Sequence, residues 1–210
     1  MVTAIATAGG GTTAVTRSAL VLLYIHGFES SPASLKAQQL QQFLAQHQVP
    51  AALLPQMPAT MAAAKSMLDE FIEQQPITAV MGSSLGGFWS HYVASRLAQQ
   101  QRPARAVLIN PAVAPQHWMP EHPIQRIHPC THESYQLDAG DKQVLQQVEQ
   151  QLDSALELLI LLQRGDEQLD YRQAQNFYQS QRMIVESGGD HSFVDFPRYL
   201  PAALEFLSVL

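Results

Sequence analysis

Six consecutive residues, Gly82-Ser83-Ser84-Leu85-Gly86-Gly87, follow directly on the apolar stretch Ile77–Met81. A serine with glycine two residues to either side, set between a strand-like run and a helix-compatible one, is the sequence form of a nucleophile turn. Ser84 must stand on a sharp turn so that its hydroxyl is exposed. Gly82 and Gly86 flank it because a Cβ at either place collides with the neighbouring strand or helix. At a helix N-terminus the free N–H groups and the positive dipole end face a developing oxyanion. Ser83 lacks this flanking pair, so Ser84 is the candidate nucleophile.

A serine hydroxyl is a weak nucleophile and needs a base within hydrogen-bond reach, itself oriented by a third group. Two later segments offer these partners: Gln163-Arg164-Gly165-Asp166-Glu167, and Ser187-Gly188-Gly189-Asp190-His191-Ser192. Each follows an apolar strand-like run, which puts its side chains at one edge of a sheet. Asp166 is the expected orienting acid, ahead of Glu167 and Asp170, because it comes first after the strand and a glycine precedes it. His191 is the expected base. The other histidines (His26, His47, His91, His117, His122, His128 and His132) lie outside the segment after the last strand. Serine, acid, histidine is the chain order of α/β-hydrolases. The oxyanion needs two backbone N–H donors, expected from Leu85 and from Phe28 in the loop His26-Gly27-Phe28. His26 reads as a structural residue of that loop.

The elements that must position these residues alternate along the chain. Strand-like runs are Ala19–Ile25, Ala51–Leu54, Ile77–Met81, Ala104–Ile109, Leu156–Leu162 and Arg182–Glu186. Helix-like runs are Pro32–Gln46, Met61–Gln74, Leu85–Gln100, Tyr171–Gln179 and Pro197–Leu210. Short β–α connections predict a mostly parallel sheet of six strands with helices on both faces, in the order 2-1-3-4-5-6. The expected fold class is therefore α/β, in the form of an α/β-hydrolase fold with a short lid. From Val113 to Tyr135 four prolines and four histidines interrupt the rhythm, and a helix follows around Lys142–Gln151. This insertion, about residues 113–150, is the expected lid, with Trp118 and Met119 as an apolar substrate wall and Glu29 as a further pocket residue. Phe88 and Trp89 read as helix packing.

Composition bounds the rest. A chain of 210 residues suffices for one α/β domain, expected over residues 19–210. A formal charge of -6 without a basic cluster argues against nucleic acid. Charged residues make up 14%, below the roughly 25% of ordinary globular proteins, and glutamine fills much of the polar surface. The single cysteine, Cys130, excludes an internal disulfide and fits a reducing, cytoplasmic setting. Residues 1–18 are rich in Ala, Thr and Gly with Arg17 alone charged; they read as a flexible leader, with an organelle-targeting segment as the alternative. The run Ala19–Ile25 is too short to span a membrane. His117, His122, His128, Cys130 and His132 with Glu121 and Glu133 match no regular metal-site spacing, so neither metal nor organic cofactor is expected.

The chain also resembles a known family, the YqiA-like esterases, small α/β-hydrolases of bacteria. The likeness rests on His26-Gly-Phe-Glu-Ser-Ser-Pro-Ala-Ser-Leu-Lys-Ala, Pro55-Gln-Met-Pro, Gly82-Ser-Ser-Leu-Gly-Gly and Asn110-Pro-Ala-Val. It continues in Gly165-Asp-Glu-Gln-Leu-Asp-Tyr-Arg-Gln-Ala and Glu186-Ser-Gly-Gly-Asp-His-Ser-Phe, and covers nearly everything from Leu20 onward. It departs in the lid, at His128-Pro-Cys-Thr-His132, and in the leader. The resemblance implies a serine esterase acting on short- to medium-chain acyl esters or thioesters, with Ser84, Asp166 and His191 as its triad. A thioesterase or carbon–carbon bond hydrolase on the same residues is the rival within enzymes. A non-catalytic ligand-binding protein is the rival outside them.

Overall fold

In the computed structural model, which describes residues 20–210, five of the six strand-like runs become the strands of one parallel sheet. The elements in chain order are β1 (Leu22–Ile25), α1 (Leu35–Gln46), α2 (Met61–Gln74), β2 (Ala79–Ser83), α3 (Leu85–Gln99) and β3 (Ala106–Ile109). They continue with β4 (Ile124–Ile127), β5 (Ser134–Leu137), α4 (Ala139–Glu149), β6 (Leu158–Gln163), α5 (Tyr171–Phe177), β7 (Arg182–Glu186) and α6 (Leu200–Phe206). The expected leader over residues 1–18 lies outside the described residues.

Five parallel strands form the main sheet in the order β1-β2-β3-β6-β7. The expectation of six is corrected at Ala51–Leu54, which makes a single parallel bridge, Leu53 to Leu23. Two bonds hold it: Leu53 N donates to Leu22 O at 2.8 Å and Tyr24 N to Leu53 O at 2.9 Å. Pro50 and Pro55 enclose the segment, and neither has an N–H to extend the ladder. The segment still lies outside β1, so the spatial order is the expected one with its outermost member cut to a bridge.

Because side chains alternate across a strand, each run feeds two cores. Leu23, Ile25, Val80, Leu108 and Ile160 pack with α2, α3 and α4 on one face. Leu22, Tyr24, Met81, Val107, Ile109 and Leu161 pack with α1 and α6 on the other. Such double burial explains why β1, β3 and β6 read as apolar runs, while the edge strand β7, only partly buried, carries Arg182 and Glu186 at its ends. Phe88 and Trp89 are buried in the first core, as helix packing requires.

The insertion after β3 begins with a 3-10 turn, Pro115–Trp118, and continues as the antiparallel hairpin β4–β5, an element the sequence reading missed. Its residues need no alternation because β4 is exposed throughout. Its turn is organised by the buried His128, whose Nδ1 accepts from Cys130 N and Thr131 N, both at 3.1 Å. Helix α4 starts a little earlier than expected. Asp138 accepts from Gly140 N, while the Asp141 carboxylate accepts from Asp138 N at 3.0 Å and from Met61 N at 2.7 Å. That last bond joins the insertion to the start of α2. Among the described residues no helix is long and apolar enough to cross a membrane.

Candidate active site

Ser84 stands alone between β2 and α3, at φ 57 and ψ -125. A side chain in that region costs about 1–3 kcal/mol and persists only where its surroundings enforce it. Here they do. Ser84 N donates to Ile109 O at 2.9 Å, and Ser84 O accepts from Gly87 N at 2.9 Å and Ala112 N at 3.0 Å. The packing leaves no room for side chains at the flanking positions. A Cβ on Gly82 would lie 2.2 Å from Gly86 O, and one on Gly86 2.1 Å from Ile25 O.

The loop after β1 passes against this turn and is held by His26. Its Nδ1 lies 2.9 Å from Gly27 O and its Nε2 3.1 Å from Met57 N. With Nε2 accepting, Nδ1 carries the proton, which describes a neutral ring. Burial acts in the same direction, lowering the His26 pKa. The backbone N–H groups of Phe28 and Leu85 donate to no acceptor among the described residues, which leaves both available to a ligand at Ser84.

Asp166 and His191 arrive on the loops after β6 and β7. Those loops are joined by Gly165 N donating to Gly188 O at 2.8 Å and by Arg164 N donating to Glu186 O at 3.0 Å. The structure brings the three expected side chains into one line: His191 Nε2 is 3.1 Å from Ser84 Oγ, and His191 Nδ1 is 2.9 and 3.0 Å from the two Asp166 oxygens. Asp166 is only 1% exposed at its side chain. Its Oδ1 also accepts from Gln168 N at 2.9 Å and Leu169 N at 2.8 Å, an arrangement suited to a carboxylate. The alternative acids do other work. Glu167 accepts from the His191 backbone N–H at 3.0 Å, and Asp170 caps α5 and pairs with Arg172 at 2.8 Å.

Two cavities meet at Ser84 and Phe28. One, of about 350 Å³, is largely apolar and is lined by Leu85, Trp118, Met119, Ile124 and Leu169. The other, of about 480 Å³, is the more polar of the two and includes Lys36, Glu167, Asp190, His191 and Ser192 beside Tyr24 and Phe28. Glu29 falls on the polar cleft and not on the apolar cavity. Its carboxylate is bound by the β4–β5 hairpin: Arg126 Nε and Nη2 donate at 2.8 and 2.7 Å, and the Tyr135 hydroxyl also donates. This contact with Arg126 holds the Glu29 carboxyl below the usual carboxylate range. Among the described residues no three His, Cys, Asp or Glu side chains converge in a metal-holding group.

A model of the uncharacterised protein family UPF0227 matches residues 21–208. The chain belongs to that family. It is the family of the YqiA-like proteins, in agreement with the motifs quoted above. Among solved structures, the chain is similar to Est1E from Butyrivibrio proteoclasticus with ferulic acid bound, at 16% identity and TM-score 0.65 over 90% of this chain and 88% of that one. It is also similar to alpha/beta hydrolase domain-containing protein 10 from mouse, at 13% identity and TM-score 0.62 over 96% and 91% of the two chains. The methylesterase MES16 from Arabidopsis matches at 13% identity and TM-score 0.60 over 91% and 100%. These likenesses show the α/β-hydrolase fold.

Three residues of this UPF0227 member escaped the sequence reading. Asn110 has a positive φ of 39 and joins two loops, its Nδ2 donating to Asp190 O at 3.1 Å and its Oδ1 accepting from Gln163 N at 3.0 Å. Gln163 ends an otherwise apolar buried strand. Its Oε1 accepts from Asp190 N at 3.2 Å and Val194 N at 2.8 Å, bracing the turn that carries His191. A polar residue closing a fully buried strand was the available signal. Lys36, on α1, donates to Ser192 O at 2.7 Å; burial pulls its ammonium down to about 8, against the raising influence of Asp190 and Asp166. Lys36 falls within the motif that begins at His26, but its helical spacing alone reads as a solvated helix residue.

Proposed function

We propose that this protein is a serine hydrolase of carboxylic acyl esters, working through an acyl-enzyme on Ser84. The observation that carries the reading is the hydrogen-bonded line Ser84–His191–Asp166 on a positive-φ turn beside two unspent N–H groups. In this scheme Ser84 Oγ attacks the ester carbonyl carbon while His191 Nε2 takes its proton. Asp166 keeps the ring proton on Nδ1 and stabilises the imidazolium. The Phe28 and Leu85 N–H groups receive the oxyanion. The carbon–oxygen bond to the alcohol breaks as His191 returns the proton to the departing oxygen. Water, activated by the same ring, then releases the acid. The steps draw on no cofactor.

The apolar cavity under the lid supports a short- to medium-chain acyl group lying against Trp118 and Met119. The insertion over residues 113–150 acts as the lid. The substrate is a small molecule, and the single exposed Cys130 suits a reducing, cytoplasmic setting. The test is fluorophosphonate labelling combined with a hydrolysis panel of acetyl to decanoyl esters, the matching acyl-CoA thioesters and a diketone. Wild-type protein labels on Ser84 and turns over oxygen esters, and Ser84→Ala does neither. Labelling that persists in Ser84→Ala and vanishes in Ser83→Ala overturns the assignment. Turnover confined to thioesters or diketones moves the substrate class.

A further inference from the structure

With the acyl group assigned to the apolar cavity, the more polar cleft beside Ser84 is left without a role. We propose that it seats the alcohol half of the ester, and that this alcohol is a polyol or sugar without negative charge; the inference rests on the ester-hydrolase reading above. The side follows from the proton. His191 must hand its proton to the departing oxygen, so the alcohol leaves along the wall to which His191 contributes. His191 lines the polar cleft and is not among the residues of the apolar cavity.

The chemistry follows from the lining. Lys36 comes from α1, Glu167 from the loop after β6, and Asp190 and Ser192 from the loop after β7. Lys36 spends one N–H on Ser192 O, and an ammonium has three. One Asp190 oxygen accepts from Ser192 Oγ at 2.6 Å, and one Glu167 oxygen accepts from His191 N at 3.0 Å. Each group therefore keeps spare hydrogen-bonding capacity on the lining of the cleft. An alkyl alcohol would cover these groups without replacing their water, and an unpaired polar group so buried is destabilising. An anionic alcohol would meet two carboxylates, Glu167 and Asp190, against the single ammonium of Lys36, since Arg126 is already committed to Glu29. A hydroxyl both donates and accepts, so neighbouring hydroxyls can accept from Lys36 while donating to Asp190 and Glu167. The step itself is the proposed ester cleavage: the Ser84 oxygen bonds to the acyl carbon, the polyol oxygen leaves with the His191 proton, and water completes the turnover.

The test is kcat/KM for butyrate esters that differ only in the alcohol: n-butanol, glycerol, glycolate and choline. The glycerol ester is expected to exceed the butyl ester at least tenfold, and that ratio should fall toward one in Lys36→Met. A butyl ester used equally well, or the glycolate or choline ester used best, overturns the inference. Should Lys36→Met fail to fold, the wild-type ratio alone decides. Fluorophosphonate labelling separates the two readings. If Ser84 labels but the glycerol ester shows no preference or no turnover, this inference alone falls. If Ser84 neither labels nor turns over any ester, the hydrolase reading falls and takes this one with it.

Discussion

Asp166→Asn isolates the acid from its own structural role, because the structure determines which way the new amide must point. Asp166 Oδ1 accepts from Gln168 N at 2.9 Å and Leu169 N at 2.8 Å. An amide oxygen placed there keeps both bonds. Reversing the amide would set its NH₂ against two donors and cost about 1–3 kcal/mol for each group left unsatisfied. The NH₂ therefore takes the other position, 2.9 Å from His191 Nδ1, and donates to it. The ring proton must then sit on Nε2, where it blocks acceptance from Ser84. The expected loss is about 10³–10⁴ in kcat, equal to about 4–5.5 kcal/mol at 1.36 kcal/mol per decade. KM should change little, because the lost interaction belongs to the transition state. The assay is kcat and KM on a butyrate ester, with thermal melting as a control that should match wild type because both backbone bonds survive. A loss below tenfold, or a loss of the expected size in Asp170→Asn instead, refutes the reasoning.

Three further outcomes follow from the geometry. Gly86→Ala places a Cβ 2.1 Å from Ile25 O; overpacking of about 1–3 kcal/mol or more should lower Tm by several degrees, whereas a Tm equal to wild type would show that the turn yields freely. Trp118→Ala opens the apolar cavity and should cut the kcat/KM preference for longer acyl esters over acetyl by about tenfold, one methylene being worth about 1–3 kcal/mol; an unchanged chain-length profile places the acyl group elsewhere. His26 and His91 both have pKa values lowered chiefly by burial from the ordinary 6.5. The unfolded chain therefore binds more protons below that value, and stability should hold above it and fall as pH drops through the lowered values. Melting from pH 8 to 5 checks the sign, and a Tm that rises on acidification contradicts it.

Strands β1, β3 and β6 were legible because burial on both faces leaves no polar alternation to decode, as in Leu158–Leu162. The bridge at Leu53 was not, because an apolar run of four residues does not reveal that prolines at both ends cut its ladder short. The hairpin escaped for the opposite reason. Ile124 and Ile127 lie on the surface, and the turn between the strands is organised by one histidine ring. Periodicity reports burial, and a two-stranded ribbon with an exposed strand leaves it little to report.

At the site, the divide runs between residues placed by their own loop and residues placed by distant partners. Ser84, Asp166 and His191 follow from short segments, because strand ends and glycines determine where each loop emerges. Glu29 does not. Its sequence neighbourhood offers a pocket residue, yet its carboxylate is spent on Arg126 and Tyr135, roughly a hundred positions away. The Glu29 backbone carbonyl meets Cys130 Sγ at 3.7 Å as well. Glu29 follows Phe28 directly, so the hairpin grips the residue beside one candidate oxyanion donor. Ile124 and Arg126 of the same hairpin line the apolar cavity. An acyl chain in that cavity would thus press on the element that holds the Phe28 loop, a coupling carried by the contacts of Arg126, Tyr135 and Cys130 with Glu29, which no local pattern announces.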